Sequence, residues 1–153
     1  MTRTDPIAHR KKGTMDNYIE TVTISHEAAL KAVSTAIAEG AKLGLAVSVA
    51  IVDPSLTLVA FGKANGATPH SVETSRRKAN TAASTRRATG WMPAELAVTL
   101  PMGTGNLLTN IPGGFPLKFE GKLVGGLGIA GGTVEQDAAV ASATISAIGA
   151  DSE

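Results

Sequence analysis

The residues best suited to chemistry lie on one predicted helix. His70, Glu73 and Arg77 follow one another at intervals of three and four residues, which places an imidazole, a carboxylate and a guanidinium along one stripe of a helix. An imidazole serves as a general base near neutral pH, and an arginine beside it would hold an anionic substrate. In this interpretation His70 or Glu73 moves a proton. The alternative is an ordinary Glu73–Arg77 ion pair on a solvated helix face.

The same helix carries most of the local positive charge. Its cations are Arg76, Arg77, Lys78, Arg86 and Arg87, and Glu73 is its only acid. Arginine forks bind carboxylates well, so Arg76, Arg77 and Lys78 are candidate charge partners of an anionic ligand. Acids of a neighbouring subunit would serve equally well as their partners, and the sequence leaves both interpretations open.

Two further groups are candidates for binding. His26 lies in the first turn of the first predicted helix, where a neutral imidazole could act as a ligand. Gly113 and Gly114 lie in a glycine- and proline-rich loop whose backbone amides could hold a carboxylate, although turn geometry alone would also explain them. The chain has no cysteine, no His-x-x-x-His and no clustered carboxylates, so we expect no metal site built from protein ligands alone.

A nucleotide-binding motif at residues 126–131 is misleading. Gly126-Leu127-Gly128-Ile129-Ala130-Gly131 matches G-x-G-x-x-G after a predicted strand. A dinucleotide fold also needs a second parallel strand with an acidic residue about 20 positions on, and here one helix follows the motif. Thr133 and Gln136 have capping-box spacing at the start of that helix. The motif therefore predicts a tightly packed strand that leads into a capped helix.

Composition excludes several classes of protein. The formal net charge is +1 and aromatic residues make up 3% of the chain, which argues against nucleic-acid binding. No apolar run reaches the length of a membrane span, and the polar N-terminus does not resemble a signal peptide. We expect a cytoplasmic protein with a disordered or loosely ordered tail over residues 1–20 and a single domain over residues 21–150.

The predicted elements alternate between helices and hairpin-linked strands. We predict helices over 25–39 and 71–87, a short turn of helix at 93–96 and a final helix after Thr133, because caps and apolar periodicity mark them. Strands are predicted over 45–52, 56–61, 107–111, 115–119 and 122–130. This order is typical of an α+β domain with a five-stranded antiparallel sheet and flanking helices.

Four segments together carry a family resemblance. They are residues 43–53, Lys78-Ala79-Asn80-Thr81-Ala82-Ala83, Pro112-Gly113-Gly114-Phe115-Pro116-Leu117, and residues 124–137, which end in Gly-Gly-Thr-x-Glu-Gln-Asp. The chain resembles the haem-binding HbpS-like or GlcG (DUF336) family, which is similar to the C-terminal domain of PduO-type proteins. The chain departs from the family pattern at Asn65-Gly66-Ala67, where Asp-Gly-Ala is common.

The resemblance implies a fold and a set of partners. The fold would be profilin-like or PAS-like, the chain would form homo-oligomers, and the ligand would be haem or another small molecule. His70 would lie beside the ligand cavity, so His70 or His26 would contact the iron or the ligand.

Three functional hypotheses follow. The first is a small-ligand-binding protein for haem or a comparable anionic molecule. The second is a cofactor-independent lyase or isomerase that acts on a small carboxylated metabolite, including aromatic ones, with His70 and Glu73 as catalytic residues. The third is an accessory subunit whose pocket has lost its function. The sequence alone leaves open whether the protein is an enzyme.

Overall fold

The computed structural model describes residues 17–152, so most of the predicted tail over residues 1–20 lies outside the described residues. This part of the chain forms four helices and four strands, in the order α1 His26–Lys42, β1 Ser48–Val52, β2 Leu58–Lys63, α2 Ser71–Thr85, α3 Ala94–Gly103, β3 Gly114–Phe119, β4 Lys122–Ala130 and α4 Val134–Ile148. The strands form one antiparallel sheet in the order β2-β1-β4-β3. Helices α1 and α4 pack against each other and against the sheet. Helix α2 also packs against the sheet. The predicted α+β class is confirmed.

Both predicted hairpins are confirmed. In the turn between β1 and β2, the Asp53 carboxylate accepts hydrogen bonds from the backbone N–H groups of Ser55 and Thr57. Between β3 and β4, Glu120 and Gly121 both have positive φ, at 53° and 75°. Two consecutive left-handed residues form the type of turn that matches the twist of a hairpin.

The prediction of a fifth strand at 107–111 is wrong. The described residues form four strands, and the segment runs beside α2 instead of pairing with the sheet. The Asn80 side-chain amide donates to the Leu107 carbonyl at 3.1 Å, and the Thr109 N–H donates to the Thr81 hydroxyl at 2.8 Å. Side chains of α2 therefore satisfy backbone groups that a strand partner would otherwise bind.

Three helix boundaries differ from the prediction. Helix α1 begins after the predicted cap Ser25 but continues through Gly40 to Lys42. Helix α2 ends at Thr85, because Arg86 adopts a left-handed conformation with φ of 60°. The turn expected at 93–96 is the start of the longer helix α3. The final helix is confirmed, and the reciprocal hydrogen bonds of its predicted capping box are present.

Glycines allow α2 to lie directly on the sheet. A Cβ atom on Gly128 would overlap the backbone carbonyl of Ser75, and one on Gly126 would overlap that of Ala79. The facing residues Ser75, Ala79 and Ala83 are small and buried. Gly126 and Gly128 of the G-x-G-x-x-G motif therefore serve helix packing within β4, since any side chain would separate the two layers.

Candidate functional site

A cavity of about 340 Å³ lies where α2 and α4 begin and β4 ends. Its volume is near the lower end of the roughly 300–1,000 Å³ range of small-molecule sites. Its lining residues are Thr68, His70, Ser71, Thr74, Lys78, Ile111, Ala130, Gly131, Gly132, Val134 and Asp137. Ser71, Lys78, Ala130 and Asp137 are buried and form the floor, whereas His70, Ile111, Gly131 and Val134 are exposed and form the rim.

A buried ion pair lies at the floor of the cavity. The Lys78 ammonium donates to the Asp137 carboxylate at 2.9 Å and to the Ile129 carbonyl at 2.7 Å. The two charged side chains are only 1% and 4% exposed. Because an unpaired charge at this depth would be costly, each partner makes burial of the other tolerable.

Burial also alters the chemistry of the lysine. Desolvation lowers the pKa of Lys78 below its ordinary value of 10.5, and this effect outweighs the hydrogen bond and the charge of Asp137, which act in the opposite direction. Lys78 therefore loses its proton more readily than a solvated lysine does, because burial disfavours the charged form.

Two backbone features hold this pair in place. The second carboxylate oxygen of Asp137 accepts a hydrogen bond from the Gly132 N–H at 2.8 Å, in the turn that leads into α4. Gly113 covers the other side of the ammonium: its φ is 121°, and a Cβ atom there would lie 2.8 Å from the Lys78 Nζ. The glycine-rich loop thus closes over the lysine because it carries no side chain at this point.

The rim combines one imidazole with two apolar side chains. His70 occupies the N-cap position of α2 without making a side-chain capping bond, and its imidazole has no hydrogen-bond partner among residues 17–152. Ile111 and Val134 are 45% and 39% exposed. The mouth of the cavity therefore combines an unengaged imidazole nitrogen with exposed apolar surface.

The hydroxyl groups of the floor are largely engaged within the protein. Ser71 donates to the Thr68 carbonyl at 2.6 Å and lies 2.8 Å from the Ser48 hydroxyl. Thr74 donates to the His70 carbonyl at 3.1 Å. These bonds fix the first turn of α2, whereas the His70 imidazole and one N–H of the Lys78 ammonium have no partner among residues 17–152.

The structure brings some of the predicted site residues together. His70 and Lys78 both line the cavity, Gly113 covers the Lys78 ammonium, and a Cβ atom on Gly114 would overlap the Lys78 backbone carbonyl. None of the described residues forms a cluster of three or more metal-ligating His, Asp or Glu side chains.

The other predicted residues lie apart from the cavity lining. Glu73 forms an exposed ion pair with Arg76 at 2.9 Å, whereas the spacing in the sequence suggests Arg77 as its partner. Arg77 is half-buried outside the lining. His26 is 72% exposed at the start of α1 and lies 3.3 Å from the carboxylate of Glu27. The stripe of His70, Glu73 and Arg77 therefore does not converge on the cavity.

Asp137 is a cavity-lining residue that the sequence analysis did not include among the candidates. From the sequence it is an acid in the first turn of α4, where it would complement the helix dipole. Its position at the end of the Gly-Gly-Thr-x-Glu-Gln-Asp segment was the available signal. Its partner Lys78 is 59 residues away in sequence, so local spacing could not pair them.

Between residues 17 and 152, no helix has the length and apolarity needed to cross a membrane.

Comparison with known proteins gives consistent matches. The family model described as haem degrading protein HbpS-like matches residues 24–146. The protein GlcG of Escherichia coli (strain K12) is 31% identical over 109 residues, which cover 71% of this chain and 81% of GlcG.

Solved structures share the fold. A PduOC–haem complex superposes with a TM-score of 0.77 at 30% identity and covers 85% of this chain and 98% of PduOC. A double mutant of HbpS from Streptomyces reticuli has the same TM-score at 28% identity and covers 95% of this chain and 98% of HbpS.

Proposed function

Because this chain belongs to the family of haem degrading protein HbpS-like, we propose that its cavity binds haem or a comparable small anionic molecule. A solved relative at 30% identity is a complex with haem, and the cavity provides a place for a ligand on this chain. Homo-oligomer formation and a cytoplasmic location stay predictions from the sequence.

The chemistry of the rim fits haem. The His70 imidazole is exposed and unengaged, and imidazole is a common axial ligand of haem iron. Ile111 and Val134 flank it and would pack against an apolar ring. Haem would supply an iron centre that accepts a nitrogen ligand.

The N-termini of two helices at the cavity would favour an acidic group on the ligand. Helices α2 and α4 both begin at the cavity, and Ser71 and Val134 at their first positions line it. The N-terminal end of a helix carries partial positive charge and free N–H groups, which suit a carboxylate. A haem propionate or the carboxylate of a smaller ligand would bind there.

The observation that carries this proposal is the unengaged imidazole of His70 at the mouth of a cavity with a buried polar floor. The lyase or isomerase hypothesis gains no comparable support, because Glu73 is exposed and paired with Arg76 away from the cavity.

An absorbance titration with haemin tests the proposal. The wild-type protein should give a saturable, red-shifted Soret band. His70→Ala should bind at least about tenfold more weakly, which corresponds to about 1.4 kcal/mol. His26→Ala is the matched control, because His26 is exposed and lies outside the cavity lining; it should bind like the wild type. Equal titrations for all three proteins would contradict the role of His70, and a featureless wild-type titration would exclude haem as the ligand.

A further inference from the structure

The Lys78 amine has capacity that its structural contacts do not use. An ammonium group has three N–H donors. Two of them bind Asp137 and the Ile129 carbonyl, and the third has no partner among residues 17–152. Lys78 and Asp137 both line the cavity, so a small molecule bound there would lie next to the ion pair.

We propose that Lys78 forms an imine with small aldehydes and ketones that enter the cavity. A lysine becomes a nucleophile towards carbonyl compounds when its surroundings favour the neutral amine. Lys78 is 1% exposed, and a carboxylate that can accept its proton is 2.9 Å away. The proposal uses the cavity of the proposed function but requires neither haem nor His70.

The step balances within the ion pair. The Lys78 ammonium transfers a proton to Asp137, and the nitrogen lone pair attacks the carbonyl carbon, which forms a C–N bond and moves the C=O π electrons onto oxygen. A proton then passes from the nitrogen to this alkoxide and gives a hydroxyl. Asp137 returns its proton to the hydroxyl, the nitrogen lone pair forms the C=N bond, the C–O bond breaks and water leaves. The product is a protonated imine, whose charge still faces the Asp137 carboxylate and whose N–H can still donate to the Ile129 carbonyl.

The desolvation that lowers the pKa of Lys78 follows from this burial and favours the neutral amine that the reaction requires. Because burial leaves little room around the nitrogen, only small carbonyl compounds should react. Lys122 is exposed, and its side chain makes no ion pair with a carboxylate among residues 17–152, so it lacks both the enclosure and the adjacent acid.

Reductive trapping on the full-length protein tests the inference. The protein is treated with acetaldehyde and cyanoborohydride, which reduces an imine to a stable N-ethyl lysine, and each site is quantified by peptide mapping. Lys122 is the internal reference. Between about pH 6 and pH 9, the ratio of Lys78 to Lys122 labelling should exceed one, because burial beside Asp137 favours the neutral amine of Lys78.

The wild-type measurement does not depend on a variant that might fail to fold. A ratio below one throughout this pH range would overturn the inference. In Asp137→Asn the ratio should fall several-fold, since the proton acceptor is gone; an unchanged ratio would overturn the role of Asp137. The His70→Ala variant separates the two proposals. If this variant loses haemin binding but keeps Lys78 labelling, the imine chemistry is supported independently of haem. If the wild-type protein binds haemin but shows no Lys78 labelling, the imine chemistry alone is refuted.

Discussion

Replacement of Lys78 by methionine should remove a large part of the stability of the protein. Lys78→Met preserves the length of the side chain but leaves the Asp137 carboxylate, which is 4% exposed, without its cation. Breaking a buried pair in this way costs about 3–5 kcal/mol, because the remaining charge is uncompensated. That is a large fraction of the roughly 5–15 kcal/mol by which domains are stable.

The double variant distinguishes the charge from the packing. Lys78→Met combined with Asp137→Asn removes both charges, and the amide oxygen introduced by the second substitution could still accept the bond that Asp137 accepts from Gly132. We therefore expect the double variant to be more stable than Lys78→Met alone by about 2 kcal/mol or more, because replacing both partners of a buried pair is often close to neutral. Measurement of the single variant Asp137→Asn completes the double-mutant cycle and gives the coupling free energy of the pair.

Urea unfolding provides the assay, with the fluorescence of Trp91, the single tryptophan, as the probe. With a denaturant slope of about 2 kcal/mol per M, a loss of about 4 kcal/mol would lower the midpoint by about 2 M. Lys122→Met is the control at an exposed position and should shift the midpoint little. The reasoning is refuted if Lys78→Met and Lys122→Met unfold at the same midpoint, or if Asp137→Asn brings no recovery.

Three further predictions concern other parts of the fold. Gly128→Ala should lower the free energy of unfolding by about 3 kcal/mol or more, because the added methyl group would overpack against α2. Gly103→Ala is the control and should be neutral, because its Cβ would meet nothing within 4 Å. Equal urea midpoints for the two variants would contradict this packing. Thr81→Val should lower the free energy of unfolding by about 1–3 kcal/mol, because the Thr109 N–H loses its acceptor. An unaltered melting temperature would show that this hydrogen bond contributes nothing to stability. The pKa of Lys78 is lowered on folding, so the unfolded chain binds the extra proton and the free energy of unfolding should rise with pH towards 10.5. Urea titrations at several pH values should show this slope in the wild type and a weaker one in Lys78→Met.

The parts of the fold that depend on local sequence were predictable. Ser25 as the cap of α1, the Thr133–Gln136 capping box and the hairpin between β3 and β4 each depend on residues a few positions apart. Local patterns carry such features because caps and hairpin turns are made by neighbouring residues. The family, too, followed from segments that the sequence displays directly.

The parts that depend on distant contacts were not predictable. The segment at 107–111 has strand-like composition, but the side chains of Asn80 and Thr81, more than 25 residues away, bind its backbone. Likewise, the cationic appearance of α2 did not reveal that Lys78 points inward to Asp137 while Arg76 faces solvent. Of the candidate site, the sequence identified His70 and Lys78 but neither the acid nor the apolar rim.

The glycine contacts beneath α2 couple the orientation of that helix to the geometry of the cavity. Its backbone touches the sheet from Ser75 to Ala83, a span of about 12 Å, and His70 lies about 7.5 Å beyond the near end at a rise of about 1.5 Å per residue. A side chain inserted under Ala83 would tilt the helix about its contact at Ser75 and displace His70 in the opposite direction. The position of the imidazole thus depends on residues outside the cavity lining, and substitutions of Gly126 or Gly128 would shift it from a distance.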